Sequence, residues 1–377
     1  MSTLKVAALQ GLSASSDAIT LANDGTCTAN ITNNLSNRNL VINGAFQVAQ
    51  RGTSSTGSTY QTVDRFGIGT LQGAITQAQV DLTSSDTPYA SGFRKAYKVT
   101  NSTANTSAGC IRDIRTTVEA QDMANSGWDS TNSSSKITLS FWVRSSVAQT
   151  YYCFYEIPDS TKHYVWSFAL SANTWTKVTK TISGASGVTI NNDNGAGLVF
   201  KIGIFFGTNY TTSGQAVDTW GAYSGSSRVP DMTSTWAGTT DATFEITGVQ
   251  LEVGSVATDF EHRSYAVEKR LCQRYYQQYL NPRLRGVRGG NNTDFHRMGM
   301  TLLVEMRSDP TLSWSGTQNV YDGDHLASIT GIGTGYPDPM SVEFEASVSG
   351  TLGTGTGSAI VAYTGGNEGT LMLSAEL

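Results

Sequence analysis

Residues Lys136–Ser145 read KITLSFWVRS, and their alternation decides the fold class. Ile137, Leu139, Phe141 and Val143 fall on one side of an extended chain; Thr138, Ser140, Trp142 and Arg144 fall on the other. A period of two in β-branched and aromatic residues is the signature of a half-buried strand. Working outward, the same signal recurs at Lys95–Thr100, Thr150–Glu156, Tyr164–Leu170, Thr174–Ile182, Leu198–Phe206 and Thr243–Val253. Ser-, Thr-, Asn- and Gly-rich turns separate these runs. The spacing, with no long helical period among them, predicts an all-β domain over residues 37–263, built as a β-sandwich.

Composition supports this. Charged residues are only 15% of the 377, while Gly contributes 39, Pro 7 and aromatics 10%. That profile suits an all-β extracellular or capsid-like protein and is too aromatic for disorder. A net charge of −5 argues against nonspecific nucleic-acid binding, which needs a basic surface. No apolar run reaches the length of a membrane span. The opening MSTLKVAALQGLSAS has one Lys and no apolar block, so it does not read as a secretory signal. Cys27, Cys110, Cys153 and Cys272 form no C-x-x-C, and a cytoplasmic maker favours free, mostly buried thiols.

Three further segments flank the sandwich. In residues 1–36, Leu4, Val6, Leu9 and Leu12 precede Ala18-Ile19-Thr20-Leu21, an Asn23-Asp24-Gly25 turn and Thr26–Ile31, the pattern of a β-hairpin. Such a hairpin is marginal alone in water, so it is expected to attach to copies of the chain or to another protein; a loose tail is the other reading. Residues 264–281 read as a linker helix, spanning Tyr265–Leu280, with Ser264 as N-cap, Glu268 in the first turn and Asn281-Pro282 as the stop. Tyr265, Cys272, Tyr275 or Tyr276, and Tyr279 fall near one face. That face either packs on both domains or meets its copies at a threefold axis. Residues 282–377 read as a smaller C-terminal β domain, with strands at Arg297–Arg307, Gln318–Tyr321, Met340–Val348, Ser358–Thr364 and Thr370–Ala375.

Several short motifs stand in a fixed order. Gln250–Arg263 has the form QLE-x-G-x-x-AT-x-FE-x-R, followed by Cys272-Gln273-Arg274-Tyr275-Tyr276 as C-x-RYY. Upstream lie Asn39-Leu40-Val41-Ile42-Asn43-Gly44 with Phe46, Gln47, Gln50, Arg51 and Gly52, then Val63-Asp64-Arg65-Phe66. Downstream lie Met306-Arg307-Ser308-Asp309-Pro310-Thr311 and Ala375-Glu376-Leu377. In this order and spacing the chain resembles phage and prophage virion appendage proteins of the fibre or decoration type. The resemblance covers roughly residues 37–377. It implies a virion structural protein, threefold like resembling fibres; with no secretory signal the chain is expected to be assembled in the host bacterial cytoplasm, and the N-terminal hairpin is then expected to dock it to other virion proteins through residues 1–36. The order of strands also resembles jelly-roll modules that bind glycans, which implies a jelly-roll sandwich and contact with host surface polysaccharide. Without the appendage resemblance, the same module reads as an accessory carbohydrate-binding module of a secreted bacterial protein.

Candidate chemistry follows from residue types. His163, His262, His296 and His325 stand in no H-E-x-x-H, no G-x-S-x-G elbow occurs, and no phosphate-cradling loop is present. Glu245, Glu252, Asp259 and Glu261 are available carboxylates, but nothing picks out a spaced catalytic pair. Glu252 and Glu261 belong to the closing motif and read as hydrogen-bonding its strand and turn. Asp322 and Asp324 in YDGDH read as a surface turn. No enzyme is expected, and no cofactor. A structural calcium has a candidate at Asp193 and Asn194, in Asn191-Asn192-Asp193-Asn194-Gly195, although the Glu of an EF-hand loop is missing.

Carbohydrate recognition has the most physical support, because sugar CH faces stack on Trp and Tyr while hydroxyls pair with polar side chains. The Gly-rich connection 206–242 is long enough to suggest function. It carries Tyr210, Asp218, Trp220, Tyr223 and Trp236, the expected glycan-binding residues. Trp128 and Trp142 follow, whereas Trp166 and Trp175 read as core.

Overall fold

The structure is a computed structural model. It describes residues 6–10, 12, 18–21, 23, 27–29, 37–282, 284–288, 296–316, 319–321, 326–333, 337–349, 359–363 and 369–377. The turn read at 322–325 and parts of segment 1–36 lie outside them.

Strands β1 (Ala8–Leu9), β2 (Ile19–Leu21) and β3 (Cys27–Ala29) form a three-stranded antiparallel sheet, one strand more than the expected hairpin. Val6, Leu9, Leu12 and Leu21 on this segment are exposed.

The sandwich takes its core from the alternation read in the sequence: Ile137, Leu139, Phe141 and Val143 are all buried. In chain order its strands are β4 (Ser54–Ser55), β5 (Gly67–Leu71), β6 (Thr76–Asp81), β7 (Lys95–Thr100), β8 (Ile111–Glu119) and β9 (Lys136–Ser145). There follow β10 (Gln149–Ile157), β11 (Lys162–Leu170), β12 (Thr176–Ser183), β13 (Ala196–Phe206), β14 (Trp220–Ala222) and β15 (Thr243–Val253). One six-stranded sheet has the order β14-β11-β10-β13-β8-β5, the other β12-β9-β15-β7-β6-β4. This is a jelly-roll β-sandwich, and its inner faces meet in one core that includes Ile114, Phe141, Tyr155, Trp166, Phe200 and Ile246. Strands β4, β5, β6, β8 and β14 are additions to the sequence-based expectation. In β8, Arg112, Asp113, Arg115 and Glu119 interrupt the apolar alternation, although Ile114 and Val118 still point inward.

The linker departs from expectation. Helix α3 runs only from Tyr265 to Gln273, after the short helices α1 (Ala120–Ala124) and α2 (Thr235–Gly238). Ser264 caps it as read, its hydroxyl accepting from the Val267 N–H. Past Arg274 the chain extends as β16 (Tyr276–Leu280) and pairs with β24 (Thr370–Ser374), so the Tyr-rich half of the expected helix is a strand. Tyr is a strong strand former, and sheet pairing outweighs weak helix propensity there.

The C-terminal domain is a closed barrel. Its strands are β17 (Leu284–Arg288), β18 (His296–Thr301), β20 (Asn319–Tyr321), β21 (Leu326–Gly333), β22 (Ser341–Ser349) and β23 (Ala359–Tyr363), in the order β17-β18-β22-β21-β20-β23. Strand β24 lies between β16 and β19 (Thr311–Ser315) in a three-stranded sheet. Its Leu371 and Leu373 share one core with Leu284, Met298 and Val342 of the barrel.

The two domains are fastened at a polar joint made from the quoted motifs. Arg274 grips Glu119 at 2.7 and 2.9 Å. Arg307 donates to the carbonyls of Ala375 and Asn194, and Asn194 donates back to the Arg307 carbonyl at 2.7 Å. Glu376 pairs with both Arg51 and Arg65.

Candidate functional site

Connection 207–234 is exposed along much of its length, including 212–214 and 216–219, but its aromatic part packs on the sandwich. It folds across the outer face of the β14-β11-β10-β13-β8-β5 sheet and buries Val229 against Phe154, Val165 and Phe206, with Tyr210, Tyr223 and Met232 alongside. This corrects the expected glycan set. Trp236 is 0% exposed in the main core, and its indole N–H donates to the Thr243 carbonyl at 3.1 Å. Trp220 leans inward against that core and donates to Ser183 O at 2.8 Å. Tyr210 lies under the Arg228 guanidinium, 4.9 Å away. Of the five, Asp218 is exposed in its pair with Lys180, and Tyr223 stands half-buried beside a band of paired charges. The reason is physical: a long, Gly-rich, aromatic connection can bury its rings on a neighbouring sheet face as readily as display them.

The outer face of the same sheet carries charge in register, with Asp113, His163 and Lys201 buried and Arg115, Glu156 and Tyr223 half-buried at its edge. Arg115 on β8 lies opposite Lys201 on β13, and Lys201 opposite Phe154 on β10. Adjacent like charges repel, so each needs an acid. Asp113 holds Arg115 at 2.7 Å, and Glu156 holds Lys201 at 2.6 Å. Glu156 in turn lies opposite His163 on β11. Beneath and beside this band, the Lys201 ammonium is 5.3 Å from the Phe154 ring and 5.7 Å from the Tyr223 ring, within cation–π range. His163 packs edge-on against Tyr223 at 5.9 Å.

The electrostatics follow from burial and pairing. Asp113 holds the Arg115 guanidinium above its ordinary pKa against the opposing effect of burial. Burial pushes the Tyr223 phenol up, with Glu156 adding to it. Burial also lowers the pKa of His163, which favours the neutral ring. Asp113 is fully buried, and its second carboxylate oxygen has no hydrogen-bond partner among the described residues. Gly69 makes room for the pair, since a Cβ there would lie 1.9 Å from the Arg115 guanidinium. The result is a balanced quartet of two acids and two bases beside a half-exposed aromatic ring. Such a surface can donate to and accept from sugar hydroxyls while stacking on an apolar sugar face.

The alternation can find part of this band, because Glu156 and Lys201 occupy outward positions of two strands that the sequence pattern identifies, while His163 lies one residue before a third, Tyr164–Leu170. Asp113 and Arg115 escape it together with β8 itself. The other candidates have structural partners. Glu245 pairs with Arg144 at 2.7 Å, Glu252 accepts from the Thr258 amide and hydroxyl, and Glu261 accepts from the Asn37 and Asn39 amides. Asp193 accepts from the Gly195 amide, closing its own turn, while Asn194 serves the domain joint. Among the described residues, no group of three or more His, Cys, Asp or Glu is placed to hold a metal ion.

No family model and no curated protein matches the chain. Several solved structures are similar to it at low identity. The enzymatically active domain of tailspike protein 4 from bacteriophage CBA120 shares 9% identity at a TM-score of 0.31, over 57% of this chain and 21% of that one. The CBM22-1 xylan-binding domain from Paenibacillus barcinonensis shares 10% at 0.24, over 54% and 94%. The tripod from the baseplate of bacteriophage Tuc2009 shares 13% at 0.26, over 88% and 96%. At these scores the likenesses carry no argument about function.

Proposed function

We propose that this chain is a non-enzymatic structural subunit of a bacteriophage appendage whose sandwich domain binds saccharides of the host surface. The observation that carries the saccharide reading is the outer-face quartet Asp113–Arg115 and Glu156–Lys201 beside Tyr223. The virion reading is supported by the motif resemblance, whose pieces Arg51, Asp64-Arg65, Arg274-Tyr275-Tyr276, Arg307 and Glu376 meet at one domain joint. In this reading the chain is a homotrimer, made in the host cytoplasm and joined to other virion proteins through residues 1–36.

Retention of the purified chain on immobilised bacterial lipopolysaccharides and capsular polysaccharides tests the saccharide reading. Glu156→Gln and Tyr223→Ala should weaken retention about tenfold or more; because Glu156→Gln also unpairs the buried Lys201, retention is compared at a temperature where both variants are fully folded. Equal retention by wild type and both variants overturns it. Light scattering that gives a single-chain mass overturns the trimer.

A further inference from the structure

The second sheet has a hollow of its own, on the side of the sandwich away from the charged quartet. Its volume is 340 Å³, within the range of small-ligand sites, roughly 300–1,000 Å³. Trp142 forms one wall. It sits on the outward side of β9, half-exposed, and strand register places Lys177 of β12 and Thr247 of β15 directly beside it. Small residues make the floor. Ser140 lies one pleat along β9, and Gly248 takes a φ of +65°, where an added Cβ would come 2.5 Å from the Phe93 ring. The opposite wall is a three-ring cluster. Phe93 and Phe260 have centroids 4.9 Å apart, with His262 at 5.2 Å from the first and 4.9 Å from the second. His262 is itself pinned through Nε2 to the Ser91 carbonyl at 2.9 Å.

We propose that this hollow is a second saccharide-binding site, in which a neutral pyranose ring lies on the indole face of Trp142. Its hydroxyls would bond to the Lys177 ammonium and the Asp259 carboxylate, both exposed at the rim. Three features argue for a sugar over an apolar guest or a flat protein contact. The floor has the Ser140 hydroxyl beside Gly248, whose backbone lies close under the Phe93 ring. The rim offers one cation and one anion, so no net charge is demanded of the ligand. The rings opposite Trp142 brace one another, so their order is in place before binding, which lowers the entropic cost of association. The geometry is independent of the quartet on the first sheet. Two sites on opposite faces let one chain hold two glycan strands, and linked sites gain avidity beyond either alone.

The test applies the full chain to the same polysaccharide array as wild type, Trp142→Ala, Lys177→Ala and Glu156→Gln. One subset of glycans should lose about tenfold in affinity with Trp142→Ala and several-fold with Lys177→Ala, while Glu156→Gln leaves that subset unchanged. Lys177 is exposed, so its variant reports binding without a folding contribution. Retention of every glycan within twofold by both Trp142→Ala and Lys177→Ala overturns the proposal, as does a wild type that holds none. Loss confined to Glu156→Gln removes this site and leaves the first-face reading standing. Loss confined to the Trp142 and Lys177 variants does the reverse.

Discussion

Glu376 and Arg65 form an ion pair across 311 residues of sequence, with Arg65 only 1% exposed. The pair closes the joint between sandwich and barrel. The Arg65 guanidinium also lies 3.3 Å from the Tyr275 ring centre and donates to the Thr117 carbonyl at 2.6 Å. Burial works against its charge, but Glu376, together with Tyr275, Tyr60 and Cys272, outweighs it and holds Arg65 protonated. The same carboxylate takes Arg51 at 3.1 Å, and Arg51 covers the Tyr276 ring at 3.6 Å. Two motif tyrosines, two motif arginines and the penultimate residue thus make one unit.

Removing one partner of a buried pair strands the other charge, which costs about 3–5 kcal/mol. Glu376→Gln should therefore lower the unfolding free energy by that order in denaturant titration. The double variant Arg65→Met with Glu376→Leu should recover most of the loss, because no buried charge is left unpaired. A Glu376→Gln chain as stable as wild type would mean that Arg65 finds water or another acid in solution.

Asp64 gives the joint a pH dependence. Its side chain is fully buried against Gln50 and Arg51, and burial raises its pKa from 3.8 to about 6, with Arg51 pulling the other way. A carboxyl with a raised native pKa binds its proton more tightly when folded. Its contribution to stability is therefore complete below about pH 3.8 and is lost as pH rises through about 6. Relative to Asp64→Asn, wild type should gain stability on acidification from pH 7 to 4, by about 2–3 kcal/mol at roughly 1.4 kcal/mol per pH unit. Glu119, gripped by Arg274, works in the opposite sense: its pKa is lowered, and its contribution fades as pH falls. Parallel melts of Asp64→Asn and Glu119→Gln separate the two. A flat difference between wild type and Asp64→Asn would remove the assignment.

Gly44 ends the Asn39–Gly44 motif and lets it lie close against the backbone of β15. An added Cβ would fall 2.0 Å from the Val249 carbonyl oxygen, and the Val249 amide donates to Gly44 O at 2.9 Å. The obstacle is backbone of β15, so it cannot swing aside as a side chain would. Gly44→Ala should cost about 1–3 kcal/mol, the range for overpacking a filled site. Gly225, where an added methyl would meet nothing within 4 Å, serves as the control. Equal melting temperatures for the two variants would show that β15 shifts freely.

How much of the fold is legible in the sequence follows from where the apolar period runs clean. In β9 every inward residue can be named in advance, because Ile137, Leu139, Phe141 and Val143 alternate with polar neighbours around a half-exposed Trp142. In β8 the period is broken by Arg112 and Glu119, which are buried yet charged, each with partners far away in sequence. The strand that carries Asp113 and Arg115 is hidden by the charges that make it interesting. The helix is overextended for a related reason: Tyr276 and Tyr279 keep helical spacing with Cys272, and only the distant β24 makes that stretch a strand. Glu252 is recognisable as a structural acid because Thr258, its partner, lies within its own motif, and Glu261 has Arg263 beside it as well as the distant Asn37 and Asn39 amides.

The aromatic residues of connection 207–234 and α2 supply the last prediction, since one composition holds two fates. Trp236 is fully enclosed, hydrogen-bonded to Thr243 O and braced by the Gln149 side chain at its amide. Its replacement by Ala empties a large core volume and should cost about 3–5 kcal/mol, the range for buried aromatic truncation. Tyr223 is half-buried on the outer face, beside Lys201 and His163. Truncating it removes a partly exposed ring, so Tyr223→Ala should cost clearly less stability while weakening polysaccharide retention. Measuring melting temperature and array retention on both variants gives opposite signatures: Trp236→Ala unfolds early with binding lost only in step with unfolding, and Tyr223→Ala melts near wild type with binding reduced. If Tyr223→Ala unfolds as readily as Trp236→Ala, the Tyr223 ring is core, and the outer face loses the aromatic element on which its sugar chemistry depends.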